Sequence, residues 1–96
     1  MRLSNAQAAL IQHIIREQLP DTIDIRLYGS RTDPSRLGGD IDLYIETHQR
    51  VALLMQAELM RRLEEALQIP VDLIIHQKGQ PLRPIVAIAQ ATSIRL

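Results

Sequence analysis

The 96-residue chain reads as an α/β domain: a small mixed three-stranded sheet with helices packed on one face. Three observations predict it. Apolar residues recur at helical spacing before Pro20 and again between Arg50 and Gln68. Three short segments, Thr22 to Tyr28, Asp40 to Glu46 and Val71 to His76, alternate apolar and polar residues as strands do. In each of them one face is aliphatic and the other polar, so helices are expected to cover only one side of the sheet. The order is α-β-(short α)-β-α-β-α within one domain, 1–96.

Each element has its own signals. Ser4 with Gln7 three residues on forms a capping box, Leu10, Ile11, Ile14 and Ile15 give the first helix its apolar stripe, and Pro20 stops it. Ile23, Ile25 and Leu27 then share one strand face, with Asp24, Arg26 and Tyr28 on the other. Ser30 can cap a short helical turn, and Gly38-Gly39 make a tight turn into the next strand. After the turn Thr47-His48-Gln49, the segment from Arg50 to Gln68 is the longest helix. Its expected inner stripe is Met55, Leu59, Leu63, Ala66 and Leu67, with Glu58 and Arg62 paired on the outer face. Pro70 hands over to the third strand. Pro84 suits the first turn of a short helix through Ala89, and Ser93 to Leu96 form a tail with no assigned role.

Composition narrows the function classes. Eleven basic and eleven acidic residues balance, so the totals carry no footprint for a polyanion. Phe and Trp are absent and Tyr28 and Tyr44 are the only aromatics, which argues against base stacking and direct nucleic-acid binding. Without cysteine there is neither a disulfide framework nor a thiolate metal site. No apolar run approaches membrane-spanning length and Met1 to Ser4 do not open a signal peptide, so a cytoplasmic domain is expected.

The chemistry concentrates in two stretches. Leu27-Tyr28-Gly29-Ser30-Arg31 ends a strand in Gly-Ser, and Asp40-Ile41-Asp42 opens the next one. Alternation puts the Asp40 and Asp42 carboxylates on one face. Two such carboxylates repel, and the usual resolution is a bound divalent cation or a shared proton. Oxygen-only ligands at this spacing suit Mg²⁺, which also takes water and substrate phosphates. The Gly29-Ser30 turn offers backbone N–H groups and a hydroxyl to a phosphate, with Arg31 as the nearest cation. A third carboxylate, Asp72, opens the last strand on its polar face. If that strand lies beside the second, three acids converge, two to bridge metal ions and one to take a proton from an attacking hydroxyl. Singly, Asp-x-Asp is a solvated strand edge, Gly-Ser is a turn, and Arg36 is a loop charge. The conjunction carries the reading. His13, His48 and His76 show no ligand spacing, and Tyr28 and Tyr44 read as surface-facing strand residues.

Gly29-Ser30, then Asp40-x-Asp42, then Asp72 on a later strand resembles the nucleotidyltransferase superfamily that includes DNA polymerase beta and the kanamycin nucleotidyltransferases. Within it, the chain is similar to a minimal nucleotidyltransferase (MNT) domain, the antitoxin partner of HEPN-domain toxins, although Gly39 stands where many members carry Ser. The resemblance implies a nucleotidyltransferase fold and an enzyme that transfers AMP from ATP to a tyrosine hydroxyl of a HEPN toxin, in a hetero-oligomer. It implies Asp40, Asp42 and Asp72 as catalytic and metal-binding residues, with one or two Mg²⁺ ions. Gly29, Ser30 and Arg31 would hold the phosphates. The larger superfamily members carry further domains that position an acceptor, and no residues remain here for one, so the acceptor is expected on another molecule. Two other readings stand beside it: a non-catalytic module that neutralises its partner by occlusion, and a transferase acting on a small-molecule hydroxyl.

Overall fold

The computed structural model describes residues 3–28, 41–81 and 94–96. Helix α1 (Asn5–Gln18) begins where the Ser4 hydroxyl accepts the Gln7 N–H at 3.1 Å while the Gln7 side chain accepts the Ser4 N–H at 3.0 Å, the reciprocal box expected from the sequence. Its stripe Ile11, Ile14 and Ile15 is buried. Leu19 caps the helix ahead of Pro20, and the Thr22 hydroxyl, buried at the start of the first strand, donates to the Leu19 carbonyl at 2.7 Å.

Strands β1 (Thr22–Tyr28), β2 (Ile41–Thr47) and β3 (Val71–Gln77) form a mixed sheet. β1 pairs antiparallel with β2, and β2 runs parallel to β3 through the crossover helix α2 (Leu53–Leu67). The tail adds a fourth, two-residue strand, β4 (Ile94–Arg95), antiparallel to the outer edge of β1, so the order across the sheet is β3-β2-β1-β4. Its pairing depends on Leu27 and Arg26 being presented at that edge, which no local signal in the tail could reveal.

The aliphatic faces behave as expected. Ile25, Leu27, Ile41, Leu43, Ile45 and Val71 pack under α1 and α2 into one core with Ile11, Ile15, Leu59 and Leu63. Helix α2 departs from expectation in two respects. It starts at Leu53 rather than Arg50, because Ala52 keeps an extended backbone, and its buried stripe is Leu59, Leu63 and Leu67 at strict i,i+4 spacing. Met55 is 41% exposed and Ala66 is also outside the stripe. Glu58 does not pair with Arg62. Arg61 lies between Glu58 and Glu65 at 2.7 Å from each, while Arg62 turns toward α1 and donates to Gln18 Oε1 at 2.8 Å and to Glu17. The nearer partner on the same helix and the reach to a second helix together decided that choice.

Two hydrogen bonds align the strand starts that matter for the site. The Glu64 carboxylate, on α2, accepts the Val71 N–H at 2.8 Å, and the Pro70 carbonyl accepts the Ile41 N–H at 2.9 Å. Helix and parallel strands are thereby locked in register one residue before Asp42 and Asp72. The short helix expected over Pro84 to Ala89 and the Gly38-Gly39 turn lie outside the described residues.

Candidate active site

Asp42 and Asp72 are direct register partners across β2 and β3, and Tyr28 is the register partner of Asp42 across β1 and β2. Parallel strands lie about 4.8 Å apart, and side chains at paired positions share a face. The two carboxylates therefore stand side by side at one end of the sheet, on the face away from the helices. Asp42 is half-buried and Asp72 exposed. Their negative charge reaches the neighbouring phenol: the Tyr28 hydroxyl is pushed up to about 12, first by burial, then by Asp42, then by Asp72. One titrating group thus registers both acids.

Of the residues expected from the sequence, Asp42 and Asp72 are brought together. Asp40, Gly29, Ser30 and Arg31 lie outside the described residues; Tyr28 and Ile41, the described residues next to Gly29 and Asp40 in the chain, stand at this end of the sheet. Among the described residues no group of three or more His, Asp or Glu side chains could hold a metal ion. The donor chemistry of the Asp42–Asp72 pair nonetheless suits Mg²⁺, which needs only one or two carboxylates when substrate phosphates complete its shell.

The rest of the polar face holds residues that sequence reasoning undervalued. Tyr44 was expected to face solvent, yet it is 1% exposed, because it sits on the central strand flanked by its partners Arg26 and Ile74 and packed against Tyr28. Its hydroxyl lies 3.4 Å from His76 Nδ1 and 3.5 Å from Glu46 Oε2. His76 Nδ1 is 3.3 Å from the same carboxylate oxygen, and its Nε2 is 3.1 Å from the Gln80 carbonyl. This buried cluster ties β2 to β3 and to the turn after β3. The signal that could have found it is the alternation itself: Tyr44, Glu46 and His76 share the parity of Asp42 and Asp72. Further along β1, Arg26 Nε donates to Asp24 Oδ2 at 2.6 Å. A cavity of about 530 Å³ opens there, lined by Arg16, Ile23, Asp24, Ile25, Arg26, Tyr44, Glu46 and Leu96.

No protein-family model matches the sequence, and no curated protein does. Solved structures do match the fold. A chain of the complex between an MNT antitoxin and a tri-AMPylated HEPN toxin from Shewanella oneidensis superposes with a TM-score of 0.78 at 19% identity, over 97% of this chain and 71% of that one. A toxin–antitoxin structure with AMP-PNP gives 0.78 at 20% identity, over 93% and 70%. A structure described as a minimal nucleotidyltransferase gives 0.73 at 24% identity and spans 100% of this chain and 97% of its own. At these identities the likeness is one of fold: the chain has the small α/β fold of the minimal nucleotidyltransferases. No helix among the described residues is long and apolar enough to cross a membrane.

Proposed function

We propose that this chain is a Mg²⁺-dependent nucleotidyltransferase that transfers AMP from ATP to a tyrosine hydroxyl of a partner HEPN toxin in the cytoplasm, and so acts as its antitoxin. The observation that carries the reading is the Asp42–Asp72 pair, two carboxylates in register beside Tyr28 on the face of the sheet opposite α1 and α2. The likeness to MNT antitoxins supports it, since those structures include one with an AMPylated HEPN toxin and one with AMP-PNP.

In this reading Asp40, Asp42 and Asp72 hold one or two Mg²⁺ ions, and Gly29, Ser30 and Arg31 hold the β- and γ-phosphates. When bound, the metal neutralises charge on the phosphates undergoing substitution. The acceptor oxygen forms a bond to the α-phosphorus, and the bond from that phosphorus to the bridging oxygen breaks. Pyrophosphate leaves with the electron pair, while the hydroxyl proton passes to the Asp72 carboxylate. The half-buried position of Asp42 and the exposed one of Asp72 suit those separate duties, the first fixed as a ligand and the second accessible to an incoming hydroxyl.

The test is label transfer. Incubated with α-labelled ATP, Mg²⁺ and the product of the neighbouring gene, the protein should label that polypeptide, and Asp42→Asn should reduce the label at least a hundredfold. Label transfer indifferent to Asp42 refutes the assignment. Neutralisation of the partner that survives Asp40→Ala with Asp42→Ala establishes occlusion instead.

A further inference from the structure

The Tyr44–Glu46–His76 cluster has no duty in the reaction as described. It sits at the end of the sheet remote from Asp42 and Asp72, where Glu46 and His76 are register partners across β2 and β3. Three polar atoms there form a small triangle. His76 Nδ1 is 3.3 Å from Glu46 Oε2 and 3.4 Å from the Tyr44 hydroxyl, which is itself 3.5 Å from the same carboxylate oxygen. On the other side of the ring, Nε2 lies 3.1 Å from the Gln80 carbonyl oxygen. Tyr44 and His76 are both buried, so a bond left unmade here is costly.

The supply of hydrogens decides what the triangle can do. A carboxylate and a carbonyl only accept, the hydroxyl brings one hydrogen, and a neutral imidazole brings one for its two nitrogens. With His76 protonated, Nδ1–H donates to Glu46 and Nε2–H donates to Gln80, both as charge-assisted bonds, and the Tyr44 hydroxyl donates to Glu46. With the ring neutral, Nε2–H stays on Gln80 and the bare Nδ1 faces a carboxylate. The Tyr44 hydroxyl then has to donate to Nδ1 instead. It is almost equally far from both acceptors, so turning about its C–O bond makes the exchange and no strand moves. The other charged groups on this face are Asp24 and Arg26 of β1, across β2 from the ring and 2.6 Å from each other, with Arg16 of α1 on the cavity wall and Lys78 in the exposed turn after β3.

We propose that His76 is a proton-operated switch at the ends of β2 and β3: gaining a proton ties Glu46 to the ring, and losing that proton to water turns the Tyr44 hydrogen onto Nδ1 and releases Glu46. Glu46 also lines the 530 Å³ cavity, so its release returns an uncompensated negative charge to the wall it shares with Arg16 and Arg26. Tyr44 packs against Tyr28, the register partner of Asp42, which sets the switch against the flank of the candidate site. It needs no nucleotide and no partner, and so stands apart from the transferase reading.

NMR of the ring nitrogens in the whole chain tests the switch over the range in which imidazoles exchange a proton, about pH 5 to 8. At the upper limit His76 should be the Nε2–H tautomer. At the lower limit both nitrogens should carry hydrogen, with the Glu46 carboxylate and Tyr44 ring-carbon signals moving in step. Tyr44→Phe removes the donor to Nδ1. The neutral ring then has one hydrogen to place between a carboxylate and a carbonyl, and the charge-assisted bond wins. Its tautomer should swap to Nδ1–H and the Gln80 carbonyl signal should shift. Adding Glu46→Gln supplies Nδ1 with an amide donor and should restore Nε2–H. An Nε2–H tautomer kept in Tyr44→Phe, or Nδ1–H persisting in the double variant, overturns the switch. If Tyr44→Phe does not fold, the parent decides: a His76 ring in one state throughout, or Glu46 and Tyr44 signals that stay put while it gains its proton, overturns the switch as well.

Discussion

Tyr28 offers a direct physical readout of the candidate site, independent of any partner. The perturbation is Asp42→Asn, made in a Tyr44→Phe background so that Tyr28 is the only phenol in a chain that also lacks Trp. With both acids present, the Tyr28 hydroxyl is pushed up to about 12 from the ordinary 10.0, first by burial and then by Asp42 and Asp72. A unit charge roughly 7 Å away is worth about 2 kcal/mol at an effective dielectric constant of about 20. Asp42 and Asp72 are partly solvated, so screening leaves about half of that, or somewhat under one pKa unit. The midpoint in Asp42→Asn should therefore fall by up to about one unit and still lie above 10, because burial persists. Absorbance at the phenolate band against pH reads it. The sign for stability follows from linkage: a raised folded-state value means that the neutral hydroxyl's contribution is complete below pH 10 and is lost as pH climbs toward about 12. Chemical denaturation between those two limits should show the loss, smaller in Asp42→Asn than in its parent. A midpoint unmoved by replacing either Asp42 or Asp72 would mean that the two carboxylates do not face Tyr28 together, and the site would dissolve with them.

Three further outcomes test the scaffold. Leu63→Ala removes a fully buried side chain from beneath the sheet and should cost about 2–5 kcal/mol in urea unfolding, with the slope unchanged. Ser4→Ala leaves the Gln7 N–H without its oxygen and should cost about 1 kcal/mol, read as a lower thermal midpoint. Arg62 hydrogen-bonds Glu17 and holds its carboxyl below the ordinary value of 4.5, so the stability from that contact is present above 4.5 and disappears as pH falls through the lowered value. Arg62→Ala should abolish that acid sensitivity, and added salt should blunt it in the parent.

Much of the fold was legible because its signals are local. The Ser4–Gln7 box depends on residues three apart, and the parity of Ile25, Leu27, Leu43 and Ile45 is a property of each strand alone. The chemistry of the candidate site was legible, since carboxylates two positions apart on a strand share a face wherever the strand lies. What escaped were the choices made between segments. Arg62 found its partner 45 positions away on α1 rather than on its own helix. Tyr44 became buried because the neighbouring strands placed Arg26 and Ile74 on either side of it.

Residue order alone therefore determined which side chains face together: alternation put Asp42, Tyr44 and Glu46 on one side of a strand, and Asp72 and His76 on one side of another. Tertiary structure decided which of those sides meet and at what offset. Register is a long-range quantity, set here by the Glu64 contact to Val71 and the Pro70 contact to Ile41. A slip of one residue would have turned Asp72 into the core; the offset observed puts it beside Asp42 instead.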